Sequence, residues 1–347
     1  MTEISPKDYR RVWAVAKELF MPKSWNAPKS IDDFRVSRPL LRELRLTDGR
    51  ELFLTDSGLP VFRATVTLLD KLDPSEGLAG YSDIWSACRR VLEQCLFKGQ
   101  EPENGEEYVR LIMTELASQF ATYTYIVPIF GVRLEGIDEI TLGRLRLIRP
   151  SEKLIESLGL QYSAEHVETM LEQSKQYLWL MGSVRGTSDT SKERFIEFCR
   201  LACGLLAVNA ASMYELGSYG FRIGVVTMPE EGHGRALSLS WKDTDRELRI
   251  SSKSVRGQPF SINLELRAAI TESAIGRKAF AIMESENRSQ LEEAWVRAVF
   301  WYSDGHRDQI PVMRFLKFWS CAEVFFSTGQ TNISESVSFG LAATRLW

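Results

Sequence analysis

The residues able to do chemistry are few, and they are scattered. The chain has three histidines, His166, His233 and His306, each set in a stretch that reads as surface helix or loop. Glu231 and His233 share one turn, but two loop residues without a third ligand do not make a metal site. There is no glycine-rich phosphate loop, no G-x-S-x-G and no HExxH. Nothing calls for a cofactor. Arg246, Arg249, Lys253 and Arg256 form a basic cluster. Arg249 and Lys253 are an even number of residues apart, so an unbroken strand would put them on one face. Arg249, Lys253 and Arg256 are therefore candidates for a nucleic-acid-binding face, with a solvated strand face as the alternative. Glu323 is the remaining oddity. It lies four residues after Trp319 and seven after Leu316, which points it into an apolar stripe. A carboxylate there needs a partner, such as Arg307 or Arg345, or its pKa must rise. It reads as an internal salt bridge or as an accessory carboxylate beside a site.

Several elements must position these residues. Ser5-Pro6 starts a helix whose stripe includes Tyr9, Val12, Trp13, Ala16 and Leu19. Short strands are expected around Phe34–Val36 and Glu51–Leu54, and Val61–Leu69 alternates as a strand does. Two helices follow, one through Trp85–Leu96 and one opening at Asn104 with Glu107 as its capping partner. Tyr123–Leu134 and Ile140–Ile148 read as strands, with a bulge near Gly143. Helical patterns cover 151–158, 164–182 and Thr190–Ala210. A small antiparallel meander is expected from Phe221–Thr227, Ala236–Trp241, Glu247–Ser252 and Phe260–Leu266. The chain reads as helical from Ala269 onward. This order predicts an α+β fold: a mixed region of antiparallel strands and helices over 1–285, then an all-α region over 286–347.

Composition is that of an ordinary globular chain, 44% hydrophobic and 26% charged, with a net charge of −3 that argues against a wholly basic nucleic-acid binder. No apolar run is long enough for a membrane span. Met1–Pro6 lacks the features of a signal peptide, so a cytoplasmic protein is expected. The five cysteines have no histidine neighbours and read as small buried hydrophobes.

The C-terminal helices are the most distinctive stretch. Leu291, Ala294, Trp295, Ala298, Val299 and Tyr302 form one stripe. The next helix, Pro311–Phe326, keeps only Arg314, Lys317 and Cys321 as a polar strip against Phe315, Leu316, Phe318, Trp319, Phe325 and Phe326. A helix apolar on so many sides is expected to be buried against neighbours or another subunit. A further helix is expected from Asn332, boxed with Glu335 and carrying Ile333, Val337 and Leu341. It reaches Trp347 without a terminating Gly or Pro, a pattern expected of a longer protein.

Leu291-x-x-Ala294, Ala298, Trp301-Tyr302 and Arg314-Phe315-Leu316-x-x-Trp319-x-x-x-Glu323-x-x-Phe326 together resemble the HEPN superfamily, in particular its Apea-like branch found in prokaryotic defence proteins. Ile126–Val132 and Ile140-x-Leu142-Gly143 resemble the region that often accompanies such domains. The resemblance covers about sixty residues well and the rest loosely. It implies a metal-independent ribonuclease that works as a dimer in anti-phage or abortive-infection systems. Its catalytic pattern, Arg followed after four to six residues by His, has no match here, since Arg297 lies too far before His306. On the resemblance, that pair would lie after Trp347. RNA cleavage needs a base for the 2′-OH and a cation for the developing charge, and Glu323 cannot supply both. Two functions remain open: part of a defence ribonuclease that dimerises through its C-terminal helices and cleaves RNA, or a non-catalytic scaffold that oligomerises through those helices.

Overall fold

The computed structural model describes residues 4–26, 43–159, 171–172, 177–213, 223–226, 236–244, 248–253, 260–285, 287–308 and 310–326. The expected strand at Phe34–Val36 and helix from Asn332 fall outside these residues. The fold is α+β, with antiparallel sheets and a helical C-terminal region. It forms two compact units, one of residues 1–121 with 185–191 and one of 122–184 with 192–347. The helices beyond 285 are grouped with the larger sheet in the second unit.

In the first unit, α1 (Pro6–Ala16) starts where its cap predicts, with the Ser5 hydroxyl accepting from the Asp8 amide. Strands β1 (Trp25–Asn26), β2 (Glu43–Arg45) and β3 (Glu51–Leu54) form an antiparallel sheet in the order β1-β3-β2. The stretch expected as a strand at Val61–Leu69 is instead the middle of α2 (Gly58–Leu72). Leu59, Phe62, Val66 and Leu69 are buried at helical spacing, and the Thr65 hydroxyl donates to the Val61 carbonyl (2.9 Å). The 3.6-residue apolar period outweighs the local β-branched content. Helices α3 (Tyr81–Lys98) and α4 (Gly105–Ala117) complete the core, with Tyr108, Leu92 and Ile112 fully buried. Asn104 caps α4 as its spacing predicts, accepting from the Glu107 amide at 3.0 Å.

Residues 185–191 belong to this unit because Asp83 holds them. Its Oδ2 accepts from the Gly80 amide at 2.9 Å, the Thr187 hydroxyl at 2.7 Å and the Thr190 hydroxyl at 2.8 Å. One carboxylate thus caps α3 and anchors this segment.

The second unit is built on strands β4 (Ala121–Phe130), β6 (Glu139–Leu142), β7 (Leu145–Ile148), β8 (Leu178–Gly186), β10 (Ala236–Lys242) and β11 (Arg249–Lys253), in the order β11-β10-β4-β8-β7-β6. The short β9 (Gly224–Val225) pairs with β4. Strands β5 (Val132–Leu134) and β12 (Phe260–Ile262) pair in parallel, so β12 leaves the expected antiparallel meander. Two further expectations change. Gly143, with φ +61°, begins a two-residue hairpin turn between β6 and β7 and not a bulge, because Leu142 faces Leu145 directly. Residues 178–182, expected as helix, are the start of β8, where Leu178, Trp179 and Leu180 are all buried. A short run apolar on both faces suits an inner strand as well as a helix.

Helices α5 (Glu152–Ser157) and α6 (Ser188–Met213) flank the sheet. On α6, Phe195 stacks on Tyr125 at 5.2 Å, and the Arg144 guanidinium lies 4.4 Å from the Phe198 ring. Then come α7 (Leu264–Glu272), capped by Asn263, α8 (Ala274–Glu284), α9 (Gln290–Arg307) and α10 (Pro311–Phe326). No described helix is long and apolar enough to cross a membrane.

Candidate functional site at the C-terminal hairpin

Helix α9 opens with a full capping box: the Ser289 hydroxyl accepts from the Glu292 amide at 3.3 Å, and the Glu292 carboxylate accepts from the Ser289 amide at 3.0 Å. Ala294, Val296, Ala298 and Val299 bury one side of it. A short connection leads to α10, its principal packing partner. The two helices run antiparallel, since Asp304 meets Lys317 and Tyr302 meets Phe318. Gly305 allows the close approach: a Cβ there would stand 2.7 Å from the Phe318 ring.

The orientation of α10 reverses the expectation. Its polar strip faces inward and much of its apolar surface faces water. Arg314, Lys317 and Cys321 are half-buried against α9. Phe315 is 63% exposed and Trp319 41%, with Val312, Met313, Leu316 and Phe325 exposed beside them. Ion pairs join the inward side to α9. The Lys317 ammonium reaches Asp304 at 2.7 Å and Asp308 at 2.8 Å. Burial pulls the Lys317 pKa down, but its bonds to the two carboxylates outweigh this and the net shift is upward. Asp308 is held below the usual carboxylate range, first by Lys317 and then by the Ile310 amide, which donates to it at 2.9 Å. Arg314 donates twice to the Asp308 carbonyl, at 3.2 and 2.9 Å.

His306 lies in this hairpin and not in a solvent loop as its sequence context implied. Its ring is 4.5 Å from Tyr302 and 5.2 Å from Phe318. Burial first, and the charge of Arg314 second, lower its pKa. Burial also raises Tyr302 to about 12 and Cys321 to about 11.

Glu323 is exposed, so the burial expected of it is absent. The stripe it points into is itself open to water, and no ion pair forms at it among the described residues. Arg307, one of its expected partners, lies over the Phe130 ring at 6.0 Å instead. Arg345 falls outside the described residues.

The basic cluster is partly described. Arg249 is exposed at the start of β11, the terminal strand of the sheet. Arg249 pairs with Ser240 and Lys253 with Ala236, so the two occupy same-parity positions of one strand. Arg246 and Arg256 lie outside the described residues. Sequence reasoning missed Lys317 with Asp304 and Asp308. The only signal was their spacing, Asp304 and Asp308 one turn apart with Lys317 beyond a short connection.

No family model matches this chain, and the comparisons with curated proteins and with solved structures found no match.

Proposed function

We propose that the protein is a cytoplasmic, self-associating interaction protein whose α10 surface is covered by a second copy of the chain. The observation that supports this is the inward-facing Lys317 strip with the outward-facing Val312, Phe315, Leu316 and Trp319. The cationic ends of the strip are spent on Asp304 and Asp308, which leaves a largely uncharged apolar surface. Such a surface suits an identical partner better than a polyanion. Comparing the solution mass of the wild type with Phe315→Asp tests the reading. Phe315 is already exposed, so the substitution leaves the fold intact and removes only the association.

A second reading is favoured by the placement of the resembling residues. Leu291, Ala294, Ala298 and Tyr302 lie on α9, and Arg314, Phe315, Leu316, Trp319 and Glu323 lie on α10, two helices packed as neighbours. On this reading the chain is the sensing and dimerising portion of an anti-phage HEPN ribonuclease that cleaves RNA without metal. Its catalytic Arg-x4–6-His is encoded downstream of Trp347, and Arg249 and Lys253, with Arg256, bind RNA. An Arg-x4–6-His in the reading frame after Trp347, with RNA cleavage that survives EDTA, supports it. A stop codon directly after Trp347 removes it. Arg249→Glu with Lys253→Glu weakens RNA binding at low salt if the strand face is used. Unchanged binding leaves a solvated face only.

A further inference from the structure

Strand β6 is the other terminal strand of the large sheet. Its register places Ile140 opposite Leu147 and Leu142 opposite Leu145, and the ladder extends to the Arg149 amide, which donates to the Asp138 carbonyl at 3.2 Å. Hydrogen-bonded and non-hydrogen-bonded pairs alternate along antiparallel strands. The bond at Asp138 therefore turns the main-chain groups of Ile140 and Leu142 toward β7. Those of Glu139 and Thr141 turn away from it. Among the described residues, no backbone bond from another element reaches Glu139 or Thr141.

A cleft of about 560 Å³ lies along this edge. Three successive residues, Glu139, Ile140 and Thr141, line it. Successive side chains point to opposite faces, so a cleft that touches all three faces the backbone edge. The opposite wall comes from α7 and α8, with Phe280 among its residues. Arg267 and Arg277 on that wall are matched by Glu272 and Glu284, while Glu139 is bridged by Arg146. This balance does not attract a nucleic acid. The volume lies within the range of about 300–1,000 Å³ usual for ligand pockets.

We propose that this cleft binds an extended peptide from a partner protein, which adds to the Glu139–Leu142 edge as a further strand. The peptide main chain exchanges hydrogen bonds with the outward N–H and C=O groups of Glu139 and Thr141, and one of its side chains lies toward Phe280. The site is independent of the α10 surface and stands or falls separately from it.

The test uses the full chain, a random twelve-residue peptide library displayed on phage, and the variant Thr141→Pro. Proline removes the outward N–H alone, a donor β7 does not use, and proline is tolerated at such edge positions. Circular dichroism checks that the variant remains folded. The expected result is a set of recovered peptides that bind the wild type and bind Thr141→Pro at least about tenfold more weakly. Their binding slows hydrogen exchange at the Glu139 and Thr141 amides. N-methylation at alternate positions of a recovered peptide abolishes binding, a readout that leaves the protein untouched. Recovery of no peptide, or of peptides that bind both proteins equally and survive N-methylation, overturns the proposal. Thr141-dependent self-association without peptide binding also overturns it, by giving the edge to a second copy.

Discussion

The ammonium of Lys317 lies 2.7 Å from the carboxylate of Asp304 on the facing helix, on the side of α10 that turns inward. Lys317 keeps only 18% of its side chain exposed, while Asp304 is half in water. Lys317→Met preserves the aliphatic stem and removes the charge. The loss is expected to be about 1 kcal/mol, because solvent screens the pair. That corresponds to a fall of about 2–4 °C in the melting midpoint of a unit of this size. Calorimetry or a thermal dichroism scan measures it.

His306 makes the hairpin sensitive to acid. Its folded pKa lies below the ordinary value of 6.5, through burial first and the Arg314 charge second. Between the two values the unfolded chain binds the proton and the folded chain does not, so stability falls as pH drops below about 6.5. The loss levels off below the folded pKa. Asp308, whose pKa is lowered, adds a loss only in more acid solution, as pH falls through its own folded value. Urea titrations at pH 7.5 and 5.5 are expected to show lower stability at 5.5 for the wild type. His306→Gln is expected to narrow that difference.

The thiols divide by accessibility. Cys88, Cys95, Cys199 and Cys203 are buried, and burial pushes Cys88 and Cys203 up to about 12. Cys321 is half-buried and raised to about 11. The reactive species is the thiolate, so labelling of the native protein by N-ethylmaleimide at pH 7.5 is expected to be slow and confined to Cys321. Peptide mass mapping identifies the labelled site. Denaturation is expected to expose all five.

Asp83 is the anchor of residues 185–191. It accepts hydrogen bonds from Gly80, Thr187 and Thr190, and Thr187 is buried. Asp83→Ala leaves the hydroxyl proton of the buried Thr187 without its acceptor and is expected to cost about 1–3 kcal/mol. Asp83→Asn keeps an acceptor oxygen and is expected to cost less. Denaturant midpoints for the two variants order them.

Local signals were legible in the sequence wherever the chemistry is local. Ser5 and Asn104 cap their helices because the side chain that accepts and the amide that donates are three residues apart. Val61–Leu69 misled because β-branched residues on a buried helix face look like strand, and residues 178–182 misled because an inner strand lacks alternation. The inward Lys317 was not legible. Its partners lie on another helix, and a stripe of Phe315, Leu316 and Trp319 ordinarily faces a core. The outward Glu139 and Thr141 amides were equally hidden, since hydrogen-bond phase depends on pairing with β7.

Sedimentation equilibrium of the full chain at micromolar concentration reads directly whether a second copy covers the exposed surface of α10. The expected result is a wild-type mass near twice 39.6 kDa and a mass near 39.6 kDa for folded Phe315→Asp and Trp319→Asp. A wild-type protein that stays at 39.6 kDa throughout, or variants that keep the doubled mass, would contradict it.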